Sequence, residues 1–240
     1  MMNKEHKSFF IIVALLVLSL VAASEIARAG VMVFDDVVSP GTSIKLKALT
    51  KGRFFPQGGR LTEFYVNDKH IGTVLSGGDG YAFYKHTFAS PGIYNLKVSS
   101  ENETGEGVLV AAARNDRVIL IEIENTLFEQ IITLKPSAEA KKTLQKLIKN
   151  YRIIYLTTLF GVQESRKWLT EHEFPASAVL KWEGPAMITD IKEREINMYA
   201  IIGSPEMLSE TSDIKRRFSF QETEDSVLIK DWDDLLKKLK

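Results

Sequence analysis

The stretch Val118-Ile-Leu-Ile-Glu122-Ile-Glu124-Asn-Thr126-Leu127 constrains this chain more than any other. Its apolar run has neither period-two alternation nor helical period. It therefore reads as a strand covered on both faces, the pattern of a central strand in a parallel sheet. Two glutamates, separated by one residue, then fall where that strand would leave the sheet. In open α/β sheets, ligands sit beyond the carboxyl ends of the strands, so Glu122 and Glu124 stand where a site forms by default. The competing reading is a solvated strand end, open to any doubly wound fold.

The chain that follows alternates strand and helix, which implies crossover connections. Pro136 and Ser137 open a helix with Ser137 as N-cap. Ala140, Leu144, Leu147, Ile148 and Tyr151 mark its inner face at helical spacing. Ile153-Ile-Tyr-Leu-Thr157-Thr158 reads as a second buried strand, and Gln163 to His172 as a helix with Trp168 and Leu169 inward. Ser177 to Leu180 and Met198 to Gly203 are further strands. Arg217 to Phe220 and Ser226 to Ile229 read as edge strands, and Asp231 caps a terminal helix running to Lys240. The three tryptophans, Trp168, Trp182 and Trp232, all lie in this half and read as packing residues.

Residues 31 to 113 follow a different period. Ser43-Ile-Lys-Leu-Lys-Ala-Leu49 alternates polar and apolar, the mark of a half-buried strand. Leu61-Thr-Glu-Phe-Tyr-Val66, Asn67-Asp68-Lys69 and His70 to Val74 spell a hairpin with turn residues in place. Gly77-Gly-Asp-Gly80 is a loop before the strand Tyr81 to Phe88. Pro91-Gly92 precedes Ile93 to Val98, and Gly107 to Ala111 closes the series. About seven strands with regular turn signals predict an antiparallel sandwich. The segment Ser90-Pro-Gly-Ile-Tyr94 resembles the tyrosine corner of immunoglobulin-type domains, and with Phe64 to Thr73 it is similar to bacterial Ig-like modules. Such a module implies a spacer or adhesive unit. Ala111 to Asp116 is the junction, giving a sandwich over 30–113 and an α/β part over 114–240.

Residues 1–29 read as a targeting segment. Lys4 and Lys7 form a positive start, Phe9 to Ala23 is nearly all apolar, and Ala27-Arg28-Ala29 fits a signal-peptidase site. A secretory signal peptide and a bacterial periplasmic location are expected, with an uncleaved N-terminal anchor as the alternative. The chain has no cysteine, which removes disulfides, thiolate metal sites and cysteine nucleophiles. Lys plus Arg and Asp plus Glu both total 31, so no basic excess points to nucleic acid. His6, His70, His86 and His172 show no metal-ligand spacing.

The strand ending in Glu122 and Glu124, with Thr126 after them, resembles the first motif of the haloacid dehalogenase (HAD) phosphatase superfamily, Asp-x-Asp-x-Thr. The run Thr157, Arg166-Lys167-Trp168-Leu169, Phe174-Pro175 is similar to the lipin-like, phosphatidate-phosphatase-like branch. The resemblance implies a Rossmann-like fold over about 117–240. It makes Glu122 the nucleophile position, Glu124 the acid/base position, Thr157 the phosphate-binding hydroxyl and Lys192 the phosphate lysine, with Lys181 the other candidate. It also implies a magnesium site at Glu122 and Glu124, completed by aspartates of a Gly-Asp-x-x-x-Asp motif. Here that motif reads Gly203-Ser204-Pro-Glu206-Met-Leu208, with Glu206 and Glu210 nearby but out of register. The extra methylene of a glutamate at the nucleophile position moves the attacking oxygen by more than about 1 Å, a misplacement that can cost on the order of 10²-fold in rate.

The expectation is therefore a two-domain exported protein, an all-β Ig-like sandwich followed by a degenerate HAD-like α/β domain. Its role is that of a catalytically inactive binding module in the cell envelope. The partner is an envelope protein or a small phosphorylated ligand, not nucleic acid, with no membrane span after signal cleavage. No cofactor is expected. The alternative is an active magnesium-dependent phosphatase on a phosphorylated lipid or small molecule, using Glu122, Glu124, Thr157 and Lys192.

Overall fold

Two sheets face each other in the first half of the chain, in a computed structural model that describes residues 30–130 and 132–239. The targeting segment expected over 1–29 lies outside these residues. One sheet has the order β1 (Gly30–Val33), β3 (Ser43–Lys51), β6 (Tyr81–Thr87), all antiparallel. The other runs β2 (Asp36–Val38), β8 (Glu103–Ala111), β7 (Gly92–Ser100), β4 (Leu61–Val66), β5 (Lys69–Leu75). Alternation turns Leu46, Ala48, Phe64, Leu96, Val98 and Leu109 into the shared core between them. The β4–β5 turn is made by Asn67 and Asp68, both in the left-handed region with φ 47° and 62°, as a two-residue primed turn requires. The Tyr94 hydroxyl donates to the Ser90 carbonyl at 2.8 Å, which is a tyrosine corner of the immunoglobulin type.

An all-antiparallel sandwich does not describe this arrangement. The chain leaves the first sheet after Val33 and joins the second at Asp36, so β2 lies parallel to β8 with Asp36 opposite Leu109. Among the described residues the sandwich has eight strands, β1 to β8. Phe34 and Asp35 make the switch between sheets, a step too short to carry turn residues of its own.

The second half is one six-stranded, all-parallel sheet. It comprises β9 (Val118–Glu122), β12 (Arg152–Thr157), β13 (Val179–Lys181), β14 (Met198–Ile202), β15 (Arg217–Ser219) and β16 (Val227–Leu228). The spatial order is β13-β12-β9-β14-β15-β16. Counted along the chain that is 3-2-1-4-5-6, the doubly wound order whose switch point lies between β9 and β14. Helices α1 (Ala138–Leu147), α2 (Val162–Glu171) and α5 (Trp232–Lys238) bury Ile119 and Ile121 on one face. On the other face, α3 (Ala186–Glu193) and α4 (Pro205–Ser209) cover Val118 and Leu120. This two-sided cover is why β9 needs an unbroken apolar run.

Helix ends follow local chemistry. Ser137 accepts from the Ala140 N–H at 3.2 Å, and Asp231 from the Asp234 N–H at 2.7 Å. Ile148, expected on the inner face of α1, is instead 46% exposed, because the helix ends at Leu147 and leaves it as the C-cap. Phe218 lies inside the sheet, since β16 pairs beyond β15 and is itself the edge. A short hairpin, β10 (Phe128–Gln130) and β11 (Lys135–Pro136), follows β9, tied to α2 by Trp168 Nε1 donating to Leu134 O at 3.0 Å.

The sandwich and the parallel sheet share a core. Val37, Val110 and Ala112 belong to the same apolar cluster as Val118 and Leu120. Beside it lies the Asp35 carboxylate, whose side chain is wholly buried. It accepts from the N–H of Val108 at 2.7 Å and of Val179 at 2.8 Å, and from Arg166 Nη2 at 2.5 Å. One side chain thus joins β8, β13 and α2. Burial pushes this carboxyl above its ordinary range, against the pull of Arg166 and the two backbone donors. Burial likewise pushes up the phenol of Tyr155, whose hydroxyl donates to Pro175 O at 3.0 Å.

Candidate functional site

The carboxyl ends of β9, β12 and β14 bring together four elements: the Glu122–Thr126 turn, the Thr157–Phe160 loop, Ser204 and the start of α4. Glu122 and Glu124 are both buried, at 1% and 2% exposure. Their surroundings differ. Glu122 Oε1 accepts from Asn125 Nδ2 at 2.6 Å and lies 3.3 Å from Thr158 Oγ1, while its Oε2 accepts from the Ser204 N–H at 2.6 Å. The approach of β14 depends on Gly203, where a Cβ would stand 3.0 Å from Glu122 Oε2 and 3.3 Å from Met207 Sδ. Ser204 also caps α4, its hydroxyl accepting from the Met207 N–H.

Glu124 turns the other way, into the loop after β12. Its Oε1 accepts from Thr157 Oγ1 at 2.5 Å and from the N–H groups of Leu159 at 3.1 Å and Phe160 at 3.2 Å. Its Oε2 accepts from the Thr158 N–H at 3.1 Å and lies 3.2 Å from Thr158 Oγ1. One threonine hydroxyl therefore stands between the two carboxylates with a single proton to give. Neither carboxylate has a cationic hydrogen-bond partner among the described residues.

The structure brings Glu122, Glu124 and Thr157 to one place and leaves Lys192 elsewhere. Lys192 lies near the end of α3 and its Nζ is 3.3 Å from Asp213, which leads into β15 at the amino end of the sheet. Lys181, at the end of β13, is the lysine beside the loop, donating to Thr158 O at 2.7 Å and Phe160 O at 3.2 Å. Thr126 gives its hydroxyl to the Glu122 carbonyl and so closes the turn. Sequence reasoning gave no role to Asn125, Thr158 or the Ser204 N–H. The Thr157-Thr158 pair at a strand end was the available signal for the second of these.

A small cavity of about 240 Å³ opens beside Glu122, with Asn125, Thr158, Trp182, Ser204, Glu206 and Glu210 on its walls. Glu124 is not among its lining residues. Magnesium demands near-octahedral oxygen ligation. Among the described residues, no three His, Asp or Glu side chains converge on a common metal position. Glu122 is held by neutral donors, Asn125 on one oxygen and the Ser204 N–H on the other, and Glu124 is taken by the loop. This donor set does not fit a magnesium ion.

No family model matches the chain, and no curated protein does. Among solved structures it is similar to the CARDB domain of PF1109 from Pyrococcus furiosus, at 13% identity over 35% of this chain and 94% of that one, with a TM-score of 0.29. It is also similar to the D00-D0 domain of Intimin, at 12% identity over 36% of this chain and 48% of that one, TM-score 0.28. The M1 domain from titin matches at 14% identity over 36% and 93%, TM-score 0.26. The sandwich assignment stands on the strand pairing and the tyrosine corner rather than on these likenesses. No helix among the described residues is long and apolar enough to cross a membrane.

Proposed function

We propose that this chain is a non-catalytic binding module of the bacterial cell envelope. In this reading an Ig-like sandwich carries a haloacid-dehalogenase-like α/β unit whose acidic pair has passed from chemistry to structure. The observation that carries it is the Ser204 N–H donating to Glu122 Oε2 at 2.6 Å. A carboxylate that attacks phosphorus needs a free oxygen and a neutralising cation beside it. Here one oxygen is held by a backbone donor, the other by Asn125, and no positive group adjoins either. With turnover gone, the module acts by contact with an envelope partner.

The experiment is magnesium-dependent hydrolysis of a generic phosphomonoester by the purified protein, with Glu122→Gln beside it. No turnover and no shift in melting temperature with magnesium is the expected result. One observation favours the alternative, an active phosphatase: Glu206 and Glu210 line the same cavity as Glu122. Hydrolysis that needs both magnesium and Glu122 would replace the binding-module reading with that one.

A further inference from the structure

We infer that the Thr157–Phe160 loop is an oxyanion-binding nest and that Glu124 is its resident ligand, a tethered carboxylate that keeps dissolved anions out. This deepens the non-catalytic reading and rests on it, since a phosphoryl group cannot enter a nest that a carboxylate fills. Three successive backbone N–H groups, of Thr158, Leu159 and Phe160, converge on the two oxygens of one side chain at 3.1 to 3.2 Å. Consecutive N–H groups turned to one side form an anion-binding concavity.

The hydroxyls complete it. Ser165 donates to Thr157 Oγ1 at 3.0 Å, and the one proton of Thr157 faces Glu124 Oε1 at 2.5 Å, with Phe160 O the more distant acceptor at 3.1 Å. Lys181 works from the carbonyl side of the loop, and one of its two acceptors, Thr158 O, shares a peptide unit with the Leu159 N–H. Its ammonium holds the carbonyls of Thr158 and Phe160, so the loop is polarised between a cation at its oxygens and an anion at its N–H groups. Buried N–H groups are almost always paired, so this loop needs an acceptor to keep its shape. Glu124, 2% exposed, supplies it from the neighbouring strand end. Tethering gives that carboxylate an effective concentration on the order of millimolar or higher, which a solute must exceed to displace it.

The test is chemical rescue of the full chain. Glu124→Ala empties the nest, and its melting temperature is followed against acetate and, separately, inorganic phosphate at matched ionic strength. Wild type and Glu122→Ala serve as controls. The expected result is a lower melting temperature for Glu124→Ala that rises saturably with one or both anions, while neither control responds. Rescue by acetate alone marks a nest shaped for a planar carboxylate, and rescue by phosphate as well marks one open to tetrahedral oxyanions. No saturable rescue by either overturns the inference. Should Glu124→Ala fail to fold, Glu124→Gln keeps the volume and is read by amide hydrogen exchange. Exchange at Leu159 and Phe160 should then quicken by about tenfold or more, as expected for losing a hydrogen bond to a charged group. Unchanged protection would overturn the inference. Phosphomonoester turnover by the wild type would sink the non-catalytic reading, whereas absent rescue sinks the nest alone.

Discussion

Replacing Asp35 by alanine tests whether the sandwich and the α/β unit are held as one body by a single buried carboxylate. The substitution strands two backbone donors, Val108 N–H and Val179 N–H, and removes the anionic partner of Arg166. Each buried unsatisfied donor costs about 1–3 kcal/mol. Arg166, 18% exposed at its side chain, keeps the Glu106 carbonyl as a partner, which limits its share of the loss. Removing one partner of a buried pair typically costs about 3–5 kcal/mol, and that is the loss expected here. For a chain of this length, at about 2–4 °C per kcal/mol, the melting temperature should fall by roughly 6–20 °C. Because burial raises the Asp35 carboxyl despite Arg166, the loss comes from orphaned donors more than from charge attraction. It should therefore change little between low and high salt, as buried pairs are weakly screened. The assay is thermal unfolding of wild type, Asp35→Ala, Arg166→Met and the double variant at both salt levels. A drop in stability below about 1 kcal/mol for Asp35→Ala would refute the reasoning, given the orphaned-donor cost assigned above.

Two further outcomes follow from the geometry. Gly203→Ala drives a methyl to 3.0 Å from Glu122 Oε2 and 3.3 Å from Met207 Sδ, so it should cost about 1–3 kcal/mol as overpacking in urea unfolding; an unchanged midpoint would show that the β14 end can yield. His86, packed edge-on against Phe88 with ring centroids 4.8 Å apart, has its pKa lowered by burial. Its neutral form is thus favoured by folding, so its contribution is complete above the unfolded value of about 6.5 and is lost as pH falls through that value to the lowered one. His86→Phe should show a smaller loss of melting temperature on acidification through this window than wild type; equal losses would contradict the assignment.

The elements most legible in the sequence are those whose cause is local. The Val118–Ile121 run marks a central strand because both faces of the sheet are covered. Ser137 and Asp231 mark helix starts because their side chains reach N–H groups three residues on. Asn67-Asp68 marks a hairpin because those two residue types tolerate the left-handed backbone a primed turn needs. Tyr94 marks its corner by a bond spanning four residues. The hairpin β10–β11 escaped notice because strands of three and two residues carry no period to read.

The partners of each charged group followed another logic. Lys181 and Lys192 are equivalent in composition, yet one closes on the Thr157–Phe160 loop and the other on Asp213. What separates them is which end of the sheet each reaches: Lys181 finishes a strand at the carboxyl end, and Lys192 sits in the last turn of a crossover helix that returns to the amino end. Asp35 carries no signal in the sequence, and β8, β13 and α2 converge on it from 73, 144 and 131 residues away. The sequence by itself determined that two acids stand at one strand end and a threonine pair at another. Only the tertiary structure decided that one acid meets Ser204 and Asn125 while the other fills the loop, because hydrogen-bond partners are fixed by how distant strand ends meet.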